Sequence, residues 1–331
     1  TLPSFIDDAR ESLKNMPELF RDLGLTMLAG TKQYFLSLMK QMPALKIALQ
    51  RLEVFEDFLR RAKTLPDFLI PKKLVEKIFR NHLSCRLDIA SVQSVLDTEI
   101  QDMQALLKKQ ATAIDGGASW EDMIKKIPMP KVPAGGLVTM YHDQVQELAA
   151  HCMASGFLSQ SDAARCPVRV LPVPSFLSAT RTASSYSVKP DYPSSGGIFY
   201  VINADKPEEA HKAYQREFRI LSAHETYPGH HFLDSVRLNL SRPIRRCIEQ
   251  PIFYEGWACF AETLMQLTGY FDNAYEQMLL ARRRLWRAMR GKVDLGLQTG
   301  TLSFATAIEY LMKTGINQAD AASVVRKYPL N

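Results

Sequence analysis

The sequence predicts a mainly α-helical protein with a small β-sheet edge beside one histidine-bearing helix. Three observations predict it. Apolar residues recur at three- and four-residue spacing through most of the chain. Two short β-branched runs, Val168–Pro174 and Ile198–Ile202, precede the cluster richest in chemistry. That cluster is Ser222-Ala223-His224-Glu225-Thr226-Tyr227-Pro228-Gly229-His230-His231, followed by Phe253-Tyr254-Glu255-Gly256-Trp257-Ala258.

The 331 residues are enough for one large domain or two smaller ones, and 46% hydrophobic with 23% charged residues is an ordinary globular composition. A net charge of +6 is mild for this length and reads as a solvated basic surface, so no nucleic-acid partner is expected. No stretch approaches the roughly 20 apolar residues of a membrane span, and no signal-peptide pattern opens the chain. A cytoplasmic protein, or an exported one whose leader is already removed, fits this. Cys85, Cys152, Cys166, Cys247 and Cys259 are odd in number and lack Cys-x-x-Cys spacing. Free buried thiols are expected, neither a disulfide framework nor a thiolate zinc site.

Residues 1–130 read as a helical scaffold region. Apolar periodicity runs from Phe5 to Leu28, Tyr34 to Leu59 and Leu87 to Leu107, punctuated by Pro3, Pro17, Pro43, Pro66 and Pro71. Met129–Gly136 is the boundary candidate, and 131–331 reads as the catalytic region of what is expected to be one continuous globular unit. A helix is expected from Leu137 to Ser155, with His142 and His151 off one face and therefore not ligands. Val168–Pro174 ends in prolines and reads as an edge strand. Phe176–Gly197, rich in Ser, Thr, Pro and Gly with Tyr186 and Tyr192, reads as a long surface loop. Ile198–Ile202 reads as a buried strand, either offering backbone to a substrate or only packing on the next helix. Tyr275–Arg290 is a long helix with Arg282, Arg283, Arg284, Arg287 and Arg290. Such a run pairs with acidic neighbours or faces water more often than it binds a substrate carboxylate.

A zinc hydrolase needs two neutral imidazoles, one carboxylate ligand, an open coordination position and a second carboxylate that takes a proton from the attacking water. Residues 222–231 with Glu255 supply all of these groups. In the common His-Glu-x-x-His pattern, i and i+4 put both imidazoles on one helix face. Here the i+4 position is Pro228, which cannot bind metal. A helix is expected to lead in, capped by Asp205 with Pro207 in its first turn and Glu208 three residues after the cap. Ala210, Tyr214, Phe218 and Leu221 recur at helical spacing, and His224 continues that stripe. Pro228 removes an amide hydrogen bond and Gly229 permits unusual dihedrals, so a kink or a widened turn is expected there. On an undistorted helix His230 points about 120° from His224, while His231 shares its face roughly 10 Å further along. A widened turn brings His230 back. Geometry alone leaves the two open.

A second helix follows. Phe253, Trp257, Phe260 and Leu264 form its apolar stripe, and Glu255, Cys259 and Glu262 line a different face. Glu225 adjoins His224 and is turned about 100° from it, where a general base would stand. Tyr328 is a candidate hydrogen-bond donor to a tetrahedral oxyanion.

These motifs carry a resemblance. His-Glu-Thr-Tyr-Pro-Gly-His-His (224–231), Phe-Tyr-Glu-Gly-Trp-Ala (253–258), Gly-Gly-Ile-Phe-Tyr-Val-Ile-Asn (196–203), the segment 287–298 and Arg326-Lys327-Tyr328-Pro329 resemble signatures of the bacterial family DUF885, grouped with zincin-type metallopeptidases. The likeness covers 135–331 well and the earlier part loosely. It implies a multi-helix zincin-like metallopeptidase, a Zn2+ site of gluzincin type and a peptide substrate. In the family pattern the first histidine after Pro-Gly is the more invariant, which favours His230 as ligand and leaves His231 as the alternative or as support. Gln298 stands where the family usually has histidine, and the chain stops at Asn331 where members continue. The expectation is therefore a zinc metallopeptidase with His224, His230 and Glu255 on the metal and Glu225 as general base. The alternatives are an inactive or metal-free peptide-binding relative, and a non-peptidase amide or ester hydrolase.

Overall fold

The computed structural model describes residues 2–174, 184–188, 196–202 and 216–328. It is mainly helical with a three-stranded mixed sheet. Compactness divides the chain into two units. One comprises Thr1–Lys72, Val293–Glu309 and Gln318–Asn331, the other Lys73–Lys292 and Tyr310–Asn317. Residue 130 lies inside the second. Among the described residues, no helix is long and apolar enough to cross a membrane.

In the first unit, Leu2–Ser12, Glu18–Leu38 and Leu45–Arg61 pack around Ile6, Met16, Leu28, Leu52 and Leu59. Prolines cut the apolar runs where periodicity alone shows no break. The run 5–28 is divided at Pro17 and the run 34–59 at Pro43. Pro17 caps Glu18–Leu38 with φ −60°, where its missing N–H leaves no orphan.

In the second unit, Gly136–Ala154 buries Leu137, Met140, Tyr141, Gln144, Val145, Leu148, Ala149 and Cys152 at helical spacing. His142 is exposed, and His151 Nε2 lies 2.9 Å from Thr268 Oγ1. The strands β1 (Val168–Pro172), β2 (Ser185–Val188) and β3 (Gly197–Val201) are ordered β1-β3-β2, with β1 parallel and β2 antiparallel to β3. The proline-ended β1 does lie at an edge. β3 is buried as expected, but both its sides are paired, so it has no free backbone for a substrate. The stretch expected as a loop from Phe176 to Gly197 contains β2, and Tyr186 is a strand residue. Residues 175–183 and 189–195, Tyr192 among them, lie outside the described residues. Tyr141 joins the sheet to the histidine helix: its ring stands edge-on to Phe199 at 5.5 Å and to Phe218 at 5.9 Å.

All five cysteines are free. Cys152 and Cys166 are buried, Cys85 and Cys259 partly so, and Cys247 is exposed, so the expectation of buried thiols fails there.

Candidate metal centre

The helix Phe218–Glu225 brings His224 and Glu225 into the core, and Ile220 through His231 are all buried. The predicted cap residues Asp205, Pro207 and Glu208, and the stripe residues Ala210 and Tyr214, lie outside the described residues. The kink expected at Pro-Gly is a full break. Thr226 leaves helical dihedrals (φ −121°, ψ −98°), and a new helix begins at His230 and runs to Leu238. Gly229 is required at the break, because a Cβ there would stand 1.8 Å from the His224 carbonyl oxygen and 2.5 Å from that of Ala223. Trp257 Nε1 donates to the Pro228 carbonyl at 2.8 Å and ties the turn to the helix Pro251–Leu267.

That break brings the candidate donors together. His224 and His230 rings meet edge to face with centroids 4.8 Å apart. Glu255 Oε2 lies 3.8 Å from His224 Nε2 and 3.5 Å from His230 Nε2, and the donor atoms of all three residues lie within 4.8 Å of one another. Bonds of roughly 2.0–2.1 Å in a tetrahedral site put donors about 3.3 Å apart. The Glu255–His230 pair matches that closely and the Glu255–His224 pair to about half an ångström, so the residues fit zinc. The Glu255 side chain is 65% exposed, whereas those of His224 and His230 are 9% and 6% exposed, so the cluster opens to water on the Glu255 side. The neighbouring His230 imidazole, helped by His224 and Arg287, holds the Glu255 carboxyl below the usual range and so ionised.

The other site residues occupy distinct positions. His231 points away from the cluster, fully buried between Tyr227 and Tyr186, with Nε2 3.2 Å from the Tyr227 hydroxyl. Burial pushes its imidazole down to about 4, so it is neutral near pH 7. Glu225 Oε2 accepts the Tyr186 N–H of β2 at 2.9 Å, which joins the proposed base to a sheet edge. Tyr328 is buried in the first unit, and its main-chain carbonyl accepts from the Gln298 side chain at 3.3 Å.

Sequence reasoning erred on the helix Pro251–Leu267. Its buried face is Ala258, Ala261, Glu262 and Met265, whereas Phe253 is 60% and Phe260 49% exposed. The reversal has a cause. Glu262 is 2% exposed and accepts from Arg283 and Arg287, and its Oε1 stands 2.9 Å from His224 Nδ1. Burial alone would raise this carboxyl, but the two guanidiniums outweigh it and hold it well below the ordinary range. The arginine run therefore pairs with carboxylates: Arg282 and Arg283 with Glu217, Arg283 and Arg287 with Glu262, and Arg284 with Glu99. The substrate-carboxylate role for these four is set aside. Tyr254, missed entirely, stacks on His230 at 4.3 Å and 23° and donates to buried Asp234 at 3.2 Å.

No curated protein matches this sequence. Among solved structures, the chain is similar to a putative lipoprotein from Colwellia psychrerythraea, with TM-score 0.68 and 19% identity over 87% of this chain and 50% of that one. It is also similar to a putative lipoprotein of unknown function from Shewanella oneidensis, with TM-score 0.76 and 18% identity over 100% of this chain and 66% of that one. At such identities the likeness concerns the fold alone, and the chain spans from half to just under two thirds of these neighbours. Residues 5–330 match a family described as bacterial protein of unknown function, DUF885, so the likeness extends well ahead of residue 135. The chain belongs to the DUF885 family.

Proposed function

We propose that this protein is a zinc-dependent hydrolase of zincin-like, gluzincin type that cleaves peptide bonds. The observation that carries the reading is the convergence of His224, His230 and Glu255 donors within 4.8 Å, with Glu225 next to His224 in the chain. His224 and His230 offer Nε2 and Glu255 a carboxylate oxygen, a donor set suited to zinc. Zinc held there would supply Lewis acidity to the attacking water and to the scissile carbonyl. Glu225 takes the proton from that water as the water oxygen bonds to the carbonyl carbon. When the C–N bond breaks, Glu225 passes the proton to the leaving nitrogen. Tyr186 holds the base from behind through its N–H. Because β3 is paired on both sides, β2, whose Tyr186 N–H is turned to Glu225, is the strand beside which a peptide backbone would lie.

The test is elemental analysis after incubation with excess zinc at neutral pH, followed by a panel of peptide and ester substrates. Close to one zinc per chain, lost in His224→Ala and Glu255→Ala, and turnover of peptides are expected. Absence of metal sinks the reading, and ester turnover without peptide turnover replaces the substrate class.

A further inference from the structure

The helix Ala274–Gln298 presents Arg283 and Arg287 to Glu262, whose Oε1 lies beside His224. We infer that Glu262, clamped by Arg283 and Arg287, is a positioning residue that sets the tautomer and ring orientation of His224, with Glu217 holding Arg283 in place. Its consequence for metal binding rests on the zinc reading above; the geometry does not.

A carboxylate only accepts hydrogen bonds, so with Glu262 Oε1 at 2.9 Å the His224 proton sits on Nδ1. Nε2 then keeps its lone pair, and Nε2 is the atom turned toward Glu255. A competing arrangement exists, because Arg287 Nη2 lies 3.4 Å from the same Nδ1. If that amine were the donor, the proton would move to Nε2 and close the ring to a metal. Distance favours Glu262, 2.9 Å from Nδ1 against 3.4 Å for Arg287 Nη2.

The grip on Glu262 is unusually complete. Arg287 holds both oxygens, with Nη1 2.9 Å from Oε2 and Nη2 on Oε1. Arg283 adds Nη2 at 3.0 Å and reaches with Nη1 to Glu217 Oε2 at 2.9 Å. Arg282 takes the other Glu217 oxygen at 2.7 Å. Glu217 immediately precedes the His224 helix, and Glu262 lies two turns along the helix that carries Glu255. One helix thus clamps the two elements that carry His224 and Glu255. Buried ionic networks contribute little net stability and are often replaced by apolar residues without loss. What this one does fix is the imidazole at its end, as an outer partner of a metal-binding histidine does.

The test reads tautomer and metal affinity separately. In metal-free protein with isotope-labelled histidine, two-bond proton–nitrogen correlations are expected to show His224 protonated on Nδ1. In Glu262→Gln the new amide can donate to Nδ1, so the proton shifts toward Nε2. Zinc affinity, measured by competition with a chromophoric chelator, falls about 10–100-fold. Arg283→Lys keeps charge but loses the fork that bridges two glutamates, so it moves both readouts the same way by less. Arg284→Ala, whose partner is the separate Glu99, moves neither. An unchanged tautomer with unchanged affinity in Glu262→Gln overturns the inference. Should that variant not fold, Glu262→Asp and Arg283→Lys carry the same two measurements, and no change in either overturns it equally. If the wild type binds no zinc while the tautomer follows Glu262, the zinc reading falls and the positioning role stands. If zinc binds while the tautomer ignores Glu262, the outcome is reversed.

Discussion

Replacing Glu225 with glutamine separates the chemical duty proposed for its carboxylate from its structural one. Structurally, the side chain accepts the β2 N–H of Tyr186 at 2.9 Å. Glutamine retains an acceptor oxygen, so only the charge-assisted part of that bond is lost, about 1 kcal/mol. In a protein of this length that lowers Tm by about 2 °C. Glu225→Ala instead orphans the Tyr186 N–H and costs about 1–3 kcal/mol, so it confuses the two duties. Chemically, general acid–base assistance is worth about 10²–10⁴-fold, and the same group is proposed to serve twice. Turnover in Glu225→Gln should therefore fall by about 10⁴-fold or more, with zinc content still near one. The assay is peptide hydrolysis by metal-replete wild type and variant side by side, with zinc content and melting measured on the same samples. Equal rates refute the base assignment. Loss of zinc from the variant would make Glu225 a ligand instead.

Two further outcomes follow from the geometry. His230→Ala should abolish zinc binding, whereas His231→Ala should keep the metal and lose about 3 kcal/mol or more of stability, because it empties a fully buried site; metal analysis and chemical denaturation that return the opposite pattern would misplace the ligand. Gly229→Ala meets two backbone carbonyl oxygens that cannot swing aside, so loss of about 3 kcal/mol or more together with weakened zinc binding is expected from denaturation and chelator competition.

The approach of His224 to His230 was legible because it is local. His224 and His230 are six residues apart, and Pro-Gly between them announces a break whose effect on the ring positions follows from helix geometry. The placement of His231 away from the cluster was not local. It depends on the pocket that Tyr186 and Tyr227 form around His231, and Tyr186 sits on a four-residue strand, Ser-Tyr-Ser-Val, inside a stretch whose Ser, Pro and Gly content reads as loop. Helix ends in the first unit followed the prolines at 17 and 43, which deserved more weight than the unbroken apolar period around them.

The inward face of Pro251–Leu267 was misread for a deeper reason. Amphipathic periodicity assumes that apolar side chains go in and charges stay out. Here Glu262 goes in and Phe253 and Phe260 stay out, because Glu262 has partners 21 and 25 residues later, at Arg283 and Arg287. No pattern within one helix reports partners on another. Yet the sequence held two cues that are decisive only in combination. Glu262 follows Glu255 by seven residues and so shares its face, and Arg283 and Arg287 are four apart and so share theirs. A carboxylate two turns from a candidate ligand, with two arginines stacked on one later helix face, is what a buried support for a metal-binding histidine requires. A helix with that support can leave aromatic rings in water, because the network and the small residues Ala258 and Ala261 already fill the side that faces the core.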